Sequence, residues 1–154
     1  MEENLKYKMY VLVERHLSAI DKGIQAGHAI AEYCNKYTDY EDFKQWVDKD
    51  KTIVLLNGGS VNDLEKIHRT LTDNDINVAV FWEEDLAYIN TAICFIADER
   101  VSKYKDFEDF KQINSLMHGK YIDTVQLYET YENIIGGYKN VIINKMIANK
   151  HLAK

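Results

Sequence analysis

The stretch "NVAVFWEEDLAYINTAICFIA", residues 77–97, decides the fold class. Its two ends, "NVAVFW" (77–82) and "INTAICFIA" (89–97), are β-branched and aromatic in the manner of buried strands, and only the six residues 83–88 separate them. Six residues close a hairpin but cannot hold a crossover helix, so this pair is predicted antiparallel. Upstream, "YKMYVLVER" (7–15) and "KTIVLLN" (51–57) read as two more buried strands, each followed by a helical pattern. Strands joined through helices run parallel. The chain is therefore predicted to be α/β, with a mixed four-stranded sheet and helices on both faces.

Helix signals support that order. Ser18 stands three residues before Asp21, and Ser60 three before Asp63, the spacing at which a hydroxyl and a carboxylate satisfy free amides at a helix start. The first spacing predicts a helix over 19–37. The second predicts one with Val61, Leu64, Ile67 and Leu71 on a single face, ending between Thr72 and Asp75. Between them "DYEDFKQWVDKD" (39–50) reads as a short helix or loop. Beyond residue 100 the pattern is helical: Phe107, Phe110, Ile113 and Met117 in one segment, then Ile122, Val125, Tyr128 and Tyr131 to Ile135. Gly136 and Gly137 interrupt it before a last apolar and basic helix, Val141 to Leu152. Residues 1–100 are thus expected to form the α/β domain and 101–154 a helical extension of the same compact unit. Tyr131, Ile134, Tyr138, Val141, Ile142 and Met146 give that extension apolar surface for self-association into a homo-oligomer.

With 154 residues, 46% of them hydrophobic, the chain can bury one sizeable core. Its formal charge is −6, but residues 138–154 carry Lys139, Lys145, Lys150 and Lys154 without a carboxylate side chain, so the remainder carries −10. An acidic body is poorly suited to long stretches of nucleic-acid backbone, whose affinity comes from Lys and Arg releasing counterions. Cys34 and Cys94 lie 60 positions apart with no C-x-x-C, which argues for reduced thiols. No metal set and no cofactor motif is expected. No apolar run approaches the ~20 residues of a membrane helix, so a cytoplasmic protein is expected.

The polar residues of the first helix draw attention next. At 100° per residue Asp21, Gln25, His28, Glu32 and Lys36 fall within about 80° of one another. Leu17, Ile20, Ile24, Gly27, Ala31 and Cys34 form the adjacent apolar side, expected to be the buried one. Ligands of open α/β sheets collect at the carboxyl ends of the strands. There the sequence places Arg15, His16, Ser18 and Lys22 after the first strand, and Trp82, Glu83, Glu84 and Tyr88 after the third. Cations at a helix start suit phosphate, aromatics suit base stacking, and carboxylates suit the amino groups of a base. Gln25, His28 and Glu32 would position such a ligand. "LNGGS" (56–60) lacks the Lys-Ser/Thr of a phosphate loop and reads as a tight turn.

"MYVLVERHLSAIDKGIQAGHAIAEY" (9–33) resembles the opening of the type-two peptidyl-tRNA hydrolases, in which a strand and a turn lead to a helix bearing Gln-x-x-His-Ala, here Gln25, His28 and Ala29. The order of elements continues to match through residue 97. Two departures stand out. The family's catalytic Asp-Ala-Gly-x-Thr run corresponds here to Glu83-Glu84-Asp85-Leu86-Ala87-Tyr88, and its essential lysine falls at Asp21, one place from Lys22. Acidic versions of this fold that lack the catalytic groups are similar to proteins of large tailed phages, some of which are immune-evasion sponges for the cyclic nucleotide signals of CBASS defence. That similarity implies a non-catalytic protein holding a cyclic dinucleotide, in the host cytoplasm if phage-encoded. The alternative it leaves open is peptidyl-tRNA ester hydrolysis by a displaced set, Lys22, His28 and Asp85.

Overall fold

A computed structural model describes residues 4–118 and 123–153. The chain divides into two compact units, Met1–Asp98 with Lys150–Lys154, and Glu99–Asn149.

The first unit is a four-stranded sheet in the order β2-β1-β4-β3, from strands β1 (Tyr7–Glu14), β2 (Thr52–Gly59), β3 (Ala79–Glu83) and β4 (Ile89–Asp98). β1 and β2 pair in parallel, while β4 runs antiparallel to both β1 and β3. The mixed sheet expected from the short 83–88 connection is therefore formed. A 3₁₀ turn, Glu84–Leu86, followed by Ala87 and Tyr88 in left-handed backbone (φ 58° each), makes that connection.

Alternation along β1 splits the core into two layers. Met9, Val11 and Val13 join Ala79, Ala92, Cys94 and Ile96 on one face, beneath helix α1 (Ala19–Lys36). Phe43 of the short helix α2 (Glu41–Gln45) and Trp46 of the π-helical turn after it complete this layer. Helix α3 (Val61–Asp73) packs against β4, β2 and β1, burying Leu64, Ile67 and Leu71 as its spacing predicts.

The buried side of α1 differs from the expected one. Lys22, Gln25, Ala26, Ala29 and Tyr33 face inward, whereas Ile20 is 77% and Ile24 49% exposed, and Gly27 and Ala31 also lie outside. The reason is steric and polar together. Ala26 and Ala29 let the helix lie close to the sheet, Tyr33 fills the wider gap beyond them, and Gln25 finds partners on two strands.

The turn "LNGGS" serves the chain itself. Ser60 Oγ accepts from the Asp63 amide (3.2 Å) while Asp63 Oδ2 accepts from the Ser60 amide (2.8 Å), a complete capping box. The bonds from Ser60 hold the Asp63 carboxyl below the usual carboxylate range. Gly59 sits at φ +86°, and a Cβ there would come within 2.5 Å of Asp63 Oδ2.

The last residues also depart from expectation. Helix α6 (Tyr138–Ile147) begins and ends earlier than predicted, and the chain then returns to the first unit. The Asn57 amide donates to His151 O (2.8 Å) and the Ala153 amide to Leu55 O (3.0 Å), with Leu56 and Leu152 bridged antiparallel. The outer edge of β2 offers unpaired backbone groups, and the tail takes them.

The second unit holds α4 (Phe107–His118), α5 (Thr124–Ile135) and α6. Phe110, Tyr131, Ile135 and Val141 form its core. Gly136 and Gly137, at φ +104° and +111°, end α5 and start α6 as the sequence break predicts. Ile122, expected to open the second helical segment, lies outside the described residues.

Two outcomes follow for stability. Gly59→Ala combines a left-handed backbone with a clash at the capping box and is expected to cost ~1–3 kcal/mol, lowering Tm by several degrees in thermal denaturation. Deleting residues 150–154 bares the β2 edge, so Tm should fall and light scattering should show association that grows with concentration. An unchanged melt and a monodisperse solution would contradict the role given to the tail.

Candidate functional site

Because β4 alone runs against the other three, the carboxyl ends of β1, β2 and β3 lie along one edge of the sheet. α1 packs over β1, β4 and β3. Its residue Gln25, only 6% exposed, forms the centre of the site. Gln25 Nε2 donates to Glu83 Oε2 at 2.6 Å, and Thr91 Oγ1 donates to Gln25 Oε1 at 2.9 Å. Helix, β3 end and β4 start are thus joined by one buried amide.

A bulge makes this possible. Phe81 pairs with Ala92, but the next residue, Trp82, pairs with Asn90, so Thr91 is the extra residue. An added residue re-aims a side chain, and here it turns the Thr91 hydroxyl to the α1 side beside Ala92. Glu83 is held at both oxygens, since Oε1 accepts from the Asp85 amide at 3.3 Å. Lys22, one turn before Gln25, is buried on the same side of the helix. His28, one turn after it, lays its exposed ring on Phe81, with centroids 4.4 Å apart and planes 12° from parallel.

The other predicted residues form separate groups. Just past β1, exposed Arg15 donates from Nε to His16 Nε2 (3.1 Å), and the His16 amide donates to Oε2 of buried Glu14 (2.7 Å). Ser18 is occupied with Asp21, donating from its hydroxyl to Oδ2 at 2.8 Å and accepting from the amide at 3.1 Å. Tyr88 donates to Glu84 Oε1 (3.3 Å) on the exposed connection, and Glu32 is exposed farther along α1. Trp82 is on the wrong side of the sheet. Its neighbour Phe81 meets His28 of α1, whereas the Trp82 ring meets His68 of α3 edge-on at 5.9 Å. Among the described residues no three His, Cys, Asp or Glu side chains come together as metal ligands.

One polar residue of the site, Thr91, escaped the sequence reading, and its neighbour Asn90 lies on the other face, paired with Trp82. Asn90 is fully buried, and its side-chain amide finds no hydrogen-bond partner among the described residues. The signal was available: "NT" interrupts an otherwise apolar strand, where a polar pair needs a reason.

A family model, Peptidyl-tRNA hydrolase PTH2, matches residues 7–114. A search of curated proteins finds no match. The family match overturns the reading of the chain as a non-catalytic, nucleotide-binding sponge of cyclic dinucleotides that defeats CBASS. The matched family is one of ester hydrolases, and the match covers every element that carries the site. Of the two aromatics expected to stack the bases, Trp82 faces α3, across the sheet from the Ser18–Lys22 helix start, and Tyr88 lies on the exposed connection. From its first strand to the middle of α4, and through the helix that carries Gln25 and His28, the chain belongs to the PTH2 family of peptidyl-tRNA hydrolases.

Proposed function

We propose that the protein hydrolyses the ester that joins a peptide to the terminal ribose of tRNA, at the Thr91–Gln25–Glu83 site. The observation that carries this reading is the Glu83 carboxylate. It stands at the first position of the stretch corresponding to the family's catalytic run, so the acid is kept in kind although the following Gly and Thr are replaced. It is also fixed by two donors, Gln25 Nε2 and the Asp85 amide.

Ester hydrolysis needs a base for water, a donor or cation for the developing oxyanion, and a proton for the leaving ribose oxygen. Glu83 is the base in this assignment, taking a proton from the attacking water while its bonds to Gln25 and Asp85 keep its orientation. Lys22 supplies positive charge to the carbonyl oxygen as the tetrahedral intermediate forms. His28, exposed one turn after Gln25 and steadied by Phe81, gives the proton to the departing oxygen. Thr91 acts on Gln25, not on substrate. This differs from the set Lys22, His28 and Asp85 in one member: Asp85 contributes its backbone amide to Glu83, and Glu83 carries the carboxylate chemistry.

Turnover of an N-blocked aminoacyl-tRNA should be measurable, and Glu83→Gln should lower kcat about 10²-fold or more. Trp82→Ala, on the other face, should leave kcat within a few-fold. Absence of turnover, or equal activity in Glu83→Gln, would reject the assignment.

The acidic body adds a second expectation. Only the short acceptor end of tRNA should touch the protein closely, so log KM should change with log salt by a slope of about 1.4 to 2.1, the value for two or three single-strand phosphates. A much steeper slope would mean extensive backbone contact.

A further inference from the structure

The second unit contains a cavity of about 340 Å³ between α4, α5 and α6. That is within the size of small-molecule sites. Phe107, Tyr128 and Tyr131 line it, with Asp106, Asn144 and Lys145 among its polar groups. The three rings are mutually inclined. Phe107 lies 5.1 Å from Tyr128 at 76° and 5.3 Å from Tyr131 at 48°, and Tyr128 lies 6.2 Å from Tyr131 at 56°. Inclined rings present both faces and edges to the space beside them.

The polar groups differ in what they have left to offer. Asn144 is 2% exposed and fully committed: its amide nitrogen donates to Val101 O (2.8 Å) and Tyr104 O (2.9 Å), and its oxygen accepts from the Tyr131 hydroxyl. Asn144 therefore builds the wall. Glu108 is paired with Lys111 at 2.8 Å. Asp106 is different. Its Oδ1 caps α4 by accepting from the Asp109 amide (2.8 Å), and Oδ2 accepts from none of the described residues. Asp106 lines the same cavity as Tyr131, whose hydroxyl is pushed up to about 12 by burial, then Tyr128, then Asp106. Lys145 is exposed.

An aromatic surface beside a carboxylate that has no ion pair among the described residues favours a positive ligand over an anion. The cluster already attracts one cation of its own, since the Lys111 ammonium stands 5.3 Å from the Phe107 centroid. We propose that this cavity binds a small alkylammonium ion, held over the rings of Phe107, Tyr128 and Tyr131 and balanced by the Asp106 carboxylate. Tyr128, Tyr131 and Lys145 all lie beyond the family match, which ends at residue 114, so the site belongs to what this chain adds to the family fold. It is independent of the hydrolase reading.

The test is an NMR titration of the full chain with choline and, separately, n-butylammonium, following the tyrosine and phenylalanine ring signals. One or both should give saturable shifts confined to the second unit, while butyrate gives none. Asp106→Asn keeps a capping side chain for α4, and it should weaken binding about tenfold or more. Tyr128→Ala, at a half-exposed ring, should do the same. Circular dichroism reports whether each variant is folded, and if Tyr128→Ala is not, Asp106→Asn alone decides. No saturable shift with either cation up to roughly 10 mM, equal binding of butyrate, or undiminished affinity in folded Asp106→Asn would overturn the proposal.

Discussion

Gln25 is a buried primary amide, and such a group has both a donor and an acceptor end that burial leaves costly to neglect. In this protein the donor end goes to Glu83 of β3 and the acceptor end to Thr91 of β4. The helix carrying it also meets the sheet through Ala26, Ala29 and Tyr33, through His28 stacked on Phe81, and through the Cys94 thiol, which donates to Ala29 O at 3.1 Å. Gln25 binds β3 and β4 at once, and so sets the position of α1 along both strands. Removing either partner would leave a buried polar group unsatisfied, at ~1–3 kcal/mol. Helix position, the bulge at Thr91 and the orientation of Glu83 are therefore one constraint.

That constraint explains which parts of the molecule could be read in advance. Strand order along the chain, the antiparallel pair at 79–98 and the two serine caps depend on loop length and local spacing, and all three are visible in a single sequence. The face of α1 is different. Ile20, Ile24, Gly27 and Ala31 repeat with the same period as Ala26, Ala29 and Tyr33, so periodicity offers two stripes, and the choice is made by Thr91 and Glu83 more than 50 residues away. Apolar content favours the wrong stripe.

The site was partly legible for the same reason. Gln25, His28 and Glu83 stood out through their pattern, but the bulge that recruits Thr91 leaves no local mark beyond a polar pair in an apolar strand. Trp82 shows the opposite case. Neighbours in a strand point to opposite faces, so once His28 rests on Phe81, Trp82 must face α3. The alternation was in the sequence, yet it becomes decisive only when the helix over Phe81 is known.

The return of residues 151–153 to the edge of β2 bears on how the chain reaches its native state. Leu56 and Leu152 are nearly a hundred positions apart, and the whole of Glu99–Asn149 lies between them in sequence. Contacts of such separation carry a large closure entropy and form late. On the ribosome, β1 to β4 can assemble well before the segment that seals their edge has been synthesised. During that interval β2 presents an open pairing face, and protection of its amides from hydrogen exchange should be the last to appear in the sheet.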